Sequence, residues 1–278
     1  MTDHDLRSIL VGTDLTPGSD PILAAAGALA QHTGAALHVV HALDFEARPG
    51  APAIDDAPFT TVVERAEAAL DAQLAAAGLA DAVSREVMVY IAHKAIAARA
   101  EDVRADLIVI GPHSRRSTAQ GILGTTADQV IRCVPMPVLI VRGTLELPPR
   151  RIVFATDGSP RASTALLRVR ELARALDTAE LRLLHVSSDP VAAGTRETIE
   201  HDALSAGADA LPVSFITGQP VADAIVAYAE RERVDLLALG TRGHGAVRRA
   251  VIGSVASRVV RRATCSVVLA PGLDHGAP

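Results

Sequence analysis

The sequence repeats itself, and that repetition limits its possible folds more than any other feature. SILVGTDLTPGSD at residues 8–20 is answered by RIVFATDGSPRAS at 151–163. Each is a short apolar, β-branched run ending in Thr-Asp, followed by Pro, Gly and Ser and then an Ala/Leu-rich helical pattern. RADLIVIGPHS at 104–114 is answered by RVDLLALGTRG at 233–243. The halves close on PVLIVR at 137–142 and SVVLAP at 266–271. Matching landmarks in one order identify a duplication.

Within each half, strand and helix signals alternate. Continuous apolar runs at Ile9–Val11, Leu37–Val40, Leu107–Ile110 and Val138–Val141 read as buried parallel strands. Ala-rich amphipathic stretches at Ala24–Gln31, Val62–Leu74 and Ala95–Val103 read as helices between them. The second half repeats this with strands near Ile152–Ala155, Leu181–Val186, Val213–Ile216, Leu236–Leu239 and Val267–Leu269. Strict alternation implies right-handed βαβ crossovers and a parallel sheet covered on both faces, hence two tandem doubly wound α/β domains. The boundary falls in GTLELPPR, residues 143–150, where prolines interrupt the pattern, giving domains at 1–145 and 150–272. The first half is longer, and its extra residues, DFEARPGAPAIDDAP at 44–58, are expected to form a surface loop after the second strand.

Composition removes several classes of function. Net charge is -5 and no long run of like charge occurs, so the basic face expected of a nucleic-acid binder is missing. Two cysteines, Cys133 and Cys265, give neither a disulfide framework nor zinc spacing, and both are expected to be buried or half-buried structural thiols. No apolar stretch reaches the ~20 residues a membrane helix needs. The N-terminal residues do not resemble a secretory signal, so a cytoplasmic location is expected.

The familiar phosphate loops are absent. A dinucleotide enzyme would place G-x-G-x-x-G after the first strand, but the loops there read DLTPGSD and DGSPRAS. No G-x-x-x-x-G-K-[ST] occurs either. The glycines gather instead after the fourth strand of the second half, from Gly240 through Gly243 and Gly245 to Gly253-Ser254. A helix opening at Gly253-Ser254 would point unpaired N–H groups and a positive dipole end at a ligand, which suits phosphate. A glycine-rich turn with an ordinary helix cap, made by Ser254, explains the glycines equally well.

The spacing Gly-x2-Gly-x9-Gly-Ser behind Asp-Leu-Leu-Ala-Leu resembles the ATP-binding signature of the universal stress protein family. The first strand ending in Asp157, the second reading LRLLHVS, TGQP before the third helix and the final SVVLAP agree with it. The likeness covers essentially the whole chain, twice. It implies the adenine-nucleotide alpha-hydrolase fold with strand order 3-2-1-4-5, and an ATP site with or without Mg2+. By the same resemblance Asp157 would face adenine and ribose, with Ala155 and Thr156 beside it, and Val186 would offer backbone groups to the adenine edge. Leu239, Gly240, Gly243, Gly253, Ser254 and Val255 would line the ribose and phosphate side. Asp157 also has a plainer reading, a turn carboxylate capping the next helix.

The first half departs from the signature. Its frame is Gly111, Ser114, Gly124 and Thr125, so a side chain stands where the family has its second glycine. Ser114 would resist a left-handed backbone or close approach to a nucleotide. Gly12, Thr13, Asp14, Ala42, Ile110 and Thr126 complete the equivalent set, and TGQP has no clear counterpart in MVYIAHK. A weakened or adapted site is expected.

Other residues read more simply. His41 and His185, equivalent near the ends of the second strands, fit half-buried histidines satisfied by backbone better than catalytic bases. His113 and His244 fall in the phosphate loops and read as solvent-side residues, since no paired carboxylate or second loop histidine supports metal coordination. For Arg115, Arg116, Arg242, Arg248 and Arg249, solvated side chains and screening of phosphate charge are equally consistent. No activated nucleophile or placed general base is visible. The expected function is therefore a nucleotide-binding regulatory protein of the stress response rather than an enzyme. The alternatives are slow ATP hydrolysis and a nucleotide-independent interaction module, the latter suiting the first half. Adenylyl-transfer and ATP-pyrophosphatase relatives would need His-x-Gly-His or Ser-Gly-Gly-x-Asp-Ser, and neither occurs. The apolar final strands would be exposed edges in isolated domains. By the resemblance they pair within the chain as a pseudo-dimer, and two chains could associate further.

Overall fold

The computed structural model describes residues 6–44, 59–80, 83–112, 123–205, 210–241 and 252–272. The 44–58 insert, apart from Asp44, lies outside these residues. The first half runs β1 (Ser8–Thr13), α1 (Asp20–Thr33), β2 (Ala36–Ala42), α2 (Phe59–Ala76), β3 (Val83–Met88), α3 (Ala92–Asp102), β4 (Leu107–Ile110), α4 (Thr125–Cys133) and β5 (Val138–Ile140). The second runs β6 (Arg151–Ala155), α5 (Pro160–Ala175), β7 (Glu180–Ser187), α6 (Ala193–Ser205), β8 (Val213–Thr217), α7 (Val221–Arg231), β9 (Leu236–Gly240), α8 (Ser254–Arg262) and β10 (Ser266–Ala270). Each half has strand order 3-2-1-4-5, as expected, and all strand pairs within a half are parallel.

The halves join through their last strands into one ten-stranded sheet. β5 and β10 pair antiparallel, with Leu139 opposite Val268, so the edge that each half would expose is covered by the other. Arg142, at the end of β5, reaches into the second half and donates from Nη2 to the Val260 carbonyl of α8 at 2.5 Å. A cation there also complements the negative end of the α8 dipole.

Alternation along the strands sends residues to two cores. On one face Ile9, Val11, Ile152 and Phe154 meet α1, α2, α5 and α6; on the other Leu10, Ile108, Val153 and Leu237 meet α3, α4, α7 and α8. Both cores continue across the seam from one half into the other. Most core side chains are Ala, Leu, Val and Ile, in keeping with an aromatic content of 2%.

A charged cluster closes the second-half sheet where β6 and β7 begin. Glu180 receives Arg151 Nε at 2.6 Å and Arg182 Nη2 at 2.5 Å, and Arg182 Nη1 reaches the Tyr228 hydroxyl at 3.2 Å. Arg151 and then Arg182 hold the Glu180 carboxyl below its usual range. A depressed carboxylate stabilises the fold above its unfolded pKa and loses that contribution as pH falls through the folded value. Glu180→Gln is expected to destabilise the protein at pH 7, with the difference from wild type closing as pH falls below about 4.3. Urea unfolding over a pH series checks this.

Candidate functional site

The chain passes from β6 through α5 to β7 on one side, then returns through α7 to β9 on the other side of β6. That reversal makes a switch point between β6 and β9, where open α/β sheets leave a crevice beyond the strand carboxyl ends. Ala155 and Leu239 face each other across it in register. Thr156 and Asp157 follow directly on β6, Val186 is on the neighbouring β7, and Gly240 ends β9.

Local hydrogen bonds fix the β6–α5 turn. Asp157 Oδ1 accepts from the Ser159 N–H at 3.0 Å, and Thr156 Oγ1 accepts from Gly158 N–H at 3.1 Å. Gly158 has φ +71°, which only glycine adopts without cost, and a Cβ there would lie 3.1 Å from Thr195. The cap of α5 is Ser159, whose Oγ accepts from Ala162 N–H at 3.2 Å. Asp157 therefore shapes the turn but is not the helix cap. Behind it, His185 is buried and its Nδ1 lies 2.9 Å from the Thr156 carbonyl. A carbonyl can only accept, so Nδ1 carries the proton and braces the residue before Asp157. His41 repeats this with Thr13 at 2.9 Å. The backbone-satisfied reading of both histidines holds.

On the other side of the crevice, Gly253 N–H donates to the Thr241 carbonyl at 2.9 Å and Thr241 N–H to Ala270 at 3.0 Å. Gly253 is the N-cap residue of α8 and Ser254 its first helical residue, with no side-chain cap hydrogen bond. Of the two readings of Ser254, the capping one does not hold: Ser254 stands one position past the cap, and the first amides of α8 have no acceptor within the helix itself. Ser254 and Val255 are exposed, and Gly253 is half-buried. Gly243, His244, Arg242, Arg248 and Arg249 lie outside the described residues.

The first half keeps the frame with different contents. Gly124 N–H donates to the Pro112 carbonyl at 2.8 Å, Gly124 is the N-cap of α4, and Thr125 is its first residue, followed by Thr126. Gly12 lies in β1, Ile110 ends β4 with Gly111 after it, and Ala42 ends β2. Asp14 holds its own turn. Its Oδ1 accepts from Thr16 N–H at 3.1 Å, Thr16 Oγ1 at 2.6 Å and Ser19 Oγ at 2.6 Å. Leu15 stands where the second half has Gly158 and holds φ +58°. Gln73 of α2 leans over this turn, donating to Thr16 O at 3.0 Å and Asp20 Oδ1 at 2.7 Å. Ser114, His113, Arg115 and Arg116 lie outside the described residues.

The structure supplies the missing counterpart of TGQP. Sheet register pairs Ala42 with Met88 and Val186 with Ile216, and the N-caps of α3 and α7 are Ile91 and Pro220. Val89-Tyr90-Ile91 therefore matches Thr217-Gly218-Gln219-Pro220, one residue shorter. That length change hid the correspondence in the sequence. Tyr90 is exposed, with the Lys94 ammonium 5.7 Å from its ring centre.

The cysteine expectation needs correction for one residue. Cys133, last residue of α4, is exposed, whereas Cys265 is half-buried. Although Cys133 is exposed as a residue, its Sγ turns back on the Val130 carbonyl at 3.5 Å. Desolvation of the sulfur pushes both thiols up, Cys265 to about 11, so neither is primed as a nucleophile. Among the described residues, no group of three His, Cys, Asp or Glu side chains could hold a metal ion. Among the described residues, no helix is long and apolar enough to cross a membrane.

Comparison with known proteins agrees with this architecture. A profile described as the Universal stress protein family matches residues 6–142 and 149–271. A universal stress protein of Synechocystis sp. is 32% identical over 173 residues, which is 60% of this chain and 59% of that protein. That match spans less than two thirds of the relative's length. A universal stress protein of Methanocaldococcus jannaschii is 29% identical over 138 residues, covering 43% of this chain and 81% of that one. The crystal structure of a universal stress protein from Archaeoglobus fulgidus has a TM-score of 0.71 at 23% identity, covering 98% of each chain.

Proposed function

The chain belongs to the universal stress protein family, and from that premise we propose that its second half binds an adenine nucleotide, ATP foremost, as a regulatory ligand. The observation that carries this reading is the α8 start. Gly253 is the cap, so the Ser254 hydroxyl and the amides of the first turn are left for a ligand at the mouth of the β6/β9 crevice. Those donors and the positive dipole end fit phosphate oxygens. Asp157, fixed by its turn and braced through His185 and Thr156, would take adenine and ribose, with Ala155 and Val186 as apolar floor. Leu239, Gly240, Gly243 and Val255 complete the proposed lining. A Mg2+ ion would come with the phosphates rather than on a protein cage.

Binding without dedicated hydrolytic groups suits a sensor. His185 has its Nδ1 proton committed to Thr156, and both cysteines favour the thiol form. Occupancy would then alter what the protein binds during stress. For the first half, the turn around Asp14 favours an interaction role: its Oδ1 already accepts three hydrogen bonds, and Leu15 holds the place of Gly158.

Thermal unfolding with ATP tests the proposal. A ligand that binds only the native state at a hundred times its Kd adds about 2.7 kcal/mol. We expect ATP to raise the melting temperature of the wild type but not of Gly253→Val. Gly253 has φ -58°, so valine fits the backbone while blocking close approach. Equal shifts in both proteins would place the nucleotide elsewhere.

A further inference from the structure

The antiparallel pairing of β5 with β10, centred on Leu139 and Val268, generates an internal two-fold axis through the seam. Under it β4 corresponds to β9 and α5 to α1. The correspondence extends to hydrogen bonds. Asp106 Oδ2, just before β4, accepts from Arg7 and Ser8 N–H at 2.8 and 3.0 Å, and Asp235 Oδ2, just before β9, accepts from Arg151 N–H at 2.8 Å.

The linker breaks this symmetry. In the sheet, β10 and β9 lie between β5 and β6, so residues 141–150 must cross both to join the halves. They cross on the α1/α5 side, because Leu145 is buried in that core and Leu147 packs against it. β5 runs opposite to β10, so the crossing passes the ends where β10 and β9 begin. Leu145 and Leu147 point inward while Glu146 between them is exposed, the in-out alternation of an extended segment.

The two-fold mate of that covered strip is the place where β5 and β4 begin, beside α5. No linker crosses there. Instead a cavity of about 420 Å³ opens, with an apolar floor that includes Leu6, Leu107, Met136, Leu167 and Leu172 and a charged rim of Asp106, Arg168 and Glu171. Leu167 on its α5 wall is 48% exposed, a large apolar side chain in the position a bound chain would cover. Arg168, also on α5, bridges the halves by donating to the Pro135 carbonyl at 2.8 Å, which fixes the groove's shape. In sequence, Gly272 corresponds to Gly143, and Asp274 and Gly276 to Leu145 and Leu147, so the residues after β10 do not repeat the linker's leucines.

We propose that this groove docks an extended segment of a partner protein with leucines at alternate positions, the chemistry that the linker displays in the mated strip. Recognition would rest on two apolar anchors inserted beside α5, as in other extended-peptide docking. The proposal is independent of nucleotide binding.

The probe is a fluorescent peptide with the linker's own sequence, GTLELPPR, titrated into the full chain and followed by anisotropy. Saturable binding below about 1 mM is expected, weakened at least about tenfold by Leu167→Arg. A peptide with serine in place of both leucines should not bind. Leu167→Arg changes an exposed position on the α5 wall of this groove, away from the linker's strip, so it separates docking there from displacement of the resident linker. No saturation by about 1 mM, or equal binding to Leu167→Arg, would overturn the proposal. So would a dimer of the wild-type chain in solution that Leu167→Arg dissociates, since a second copy would then be the occupant.

Discussion

Val268→Asp is expected to abolish the native fold of both halves together. Val268 is fully buried at the centre of β10, in register with Leu139 of β5 on one side and Ala238 of β9 on the other. An unpaired carboxylate at that depth has no polar partner, and burying one costs several kcal/mol or forces it to bind a proton. Against a typical total stability of about 5–15 kcal/mol, that is enough to unfold the chain. The effect should spread across the seam because the α1/α5 core contains residues of both halves. Circular dichroism and size-exclusion chromatography check this. A variant that lost half its ellipticity while keeping one cooperative transition would show that the halves fold independently.

Phe154→Ala should produce the second large loss. Phe154 lies on β6 with no exposed surface and is the bulkiest of the fully buried side chains. A core built largely of Ala, Val, Leu and Ile has few atoms able to move into the space left behind. Deleting a buried phenylalanine side chain typically costs about 3–5 kcal/mol, the transfer contribution plus that of an unfilled cavity. Equilibrium urea unfolding would measure it as a lower midpoint at unchanged slope. A loss below about 1 kcal/mol would mean that the site collapses freely, against the packing described.

Much of this fold is legible in the sequence because buried parallel strands are written as continuous apolar runs. Ile9–Val11, Leu107–Ile110 and Leu236–Leu239 all fall within strands of the structure. The repeat then gives two equivalent units of unequal length, and the family likeness gives their strand order. What escaped depends on contacts remote in sequence. Arg142 looks like an ordinary strand-end arginine until β5 and β10 pair and bring it to α8. Cys133 lies between Arg132 and Val134, neighbours that fit either side of a helix, and only the rotation of α4 shows that it faces outward.

The site is legible to a similar depth. Gly253-Ser254 announces a helix start, but which residue is the cap depends on the backbone turning at Gly253, so sequence leaves the Ser254 hydroxyl open between capping and phosphate contact. The paired histidines could have been read further. His41 and His185 recur at the same strand position, and the partner of each is the Thr just ahead of the repeated Asp. The groove beside α5 had no local signal at all. It exists because a duplicated fold has two equivalent strips and only one linker between its halves.

The most direct test of nucleotide binding is to purify the chain without added nucleotide, denature it, and identify what is released by chromatography with mass detection. The account predicts ATP or ADP at about one per chain, absent from a Gly253→Val variant that keeps the wild-type melting profile of the empty protein. A wild-type chain that releases no nucleotide and gains no thermal stability from millimolar ATP would contradict it, leaving an interaction protein that works without a nucleotide.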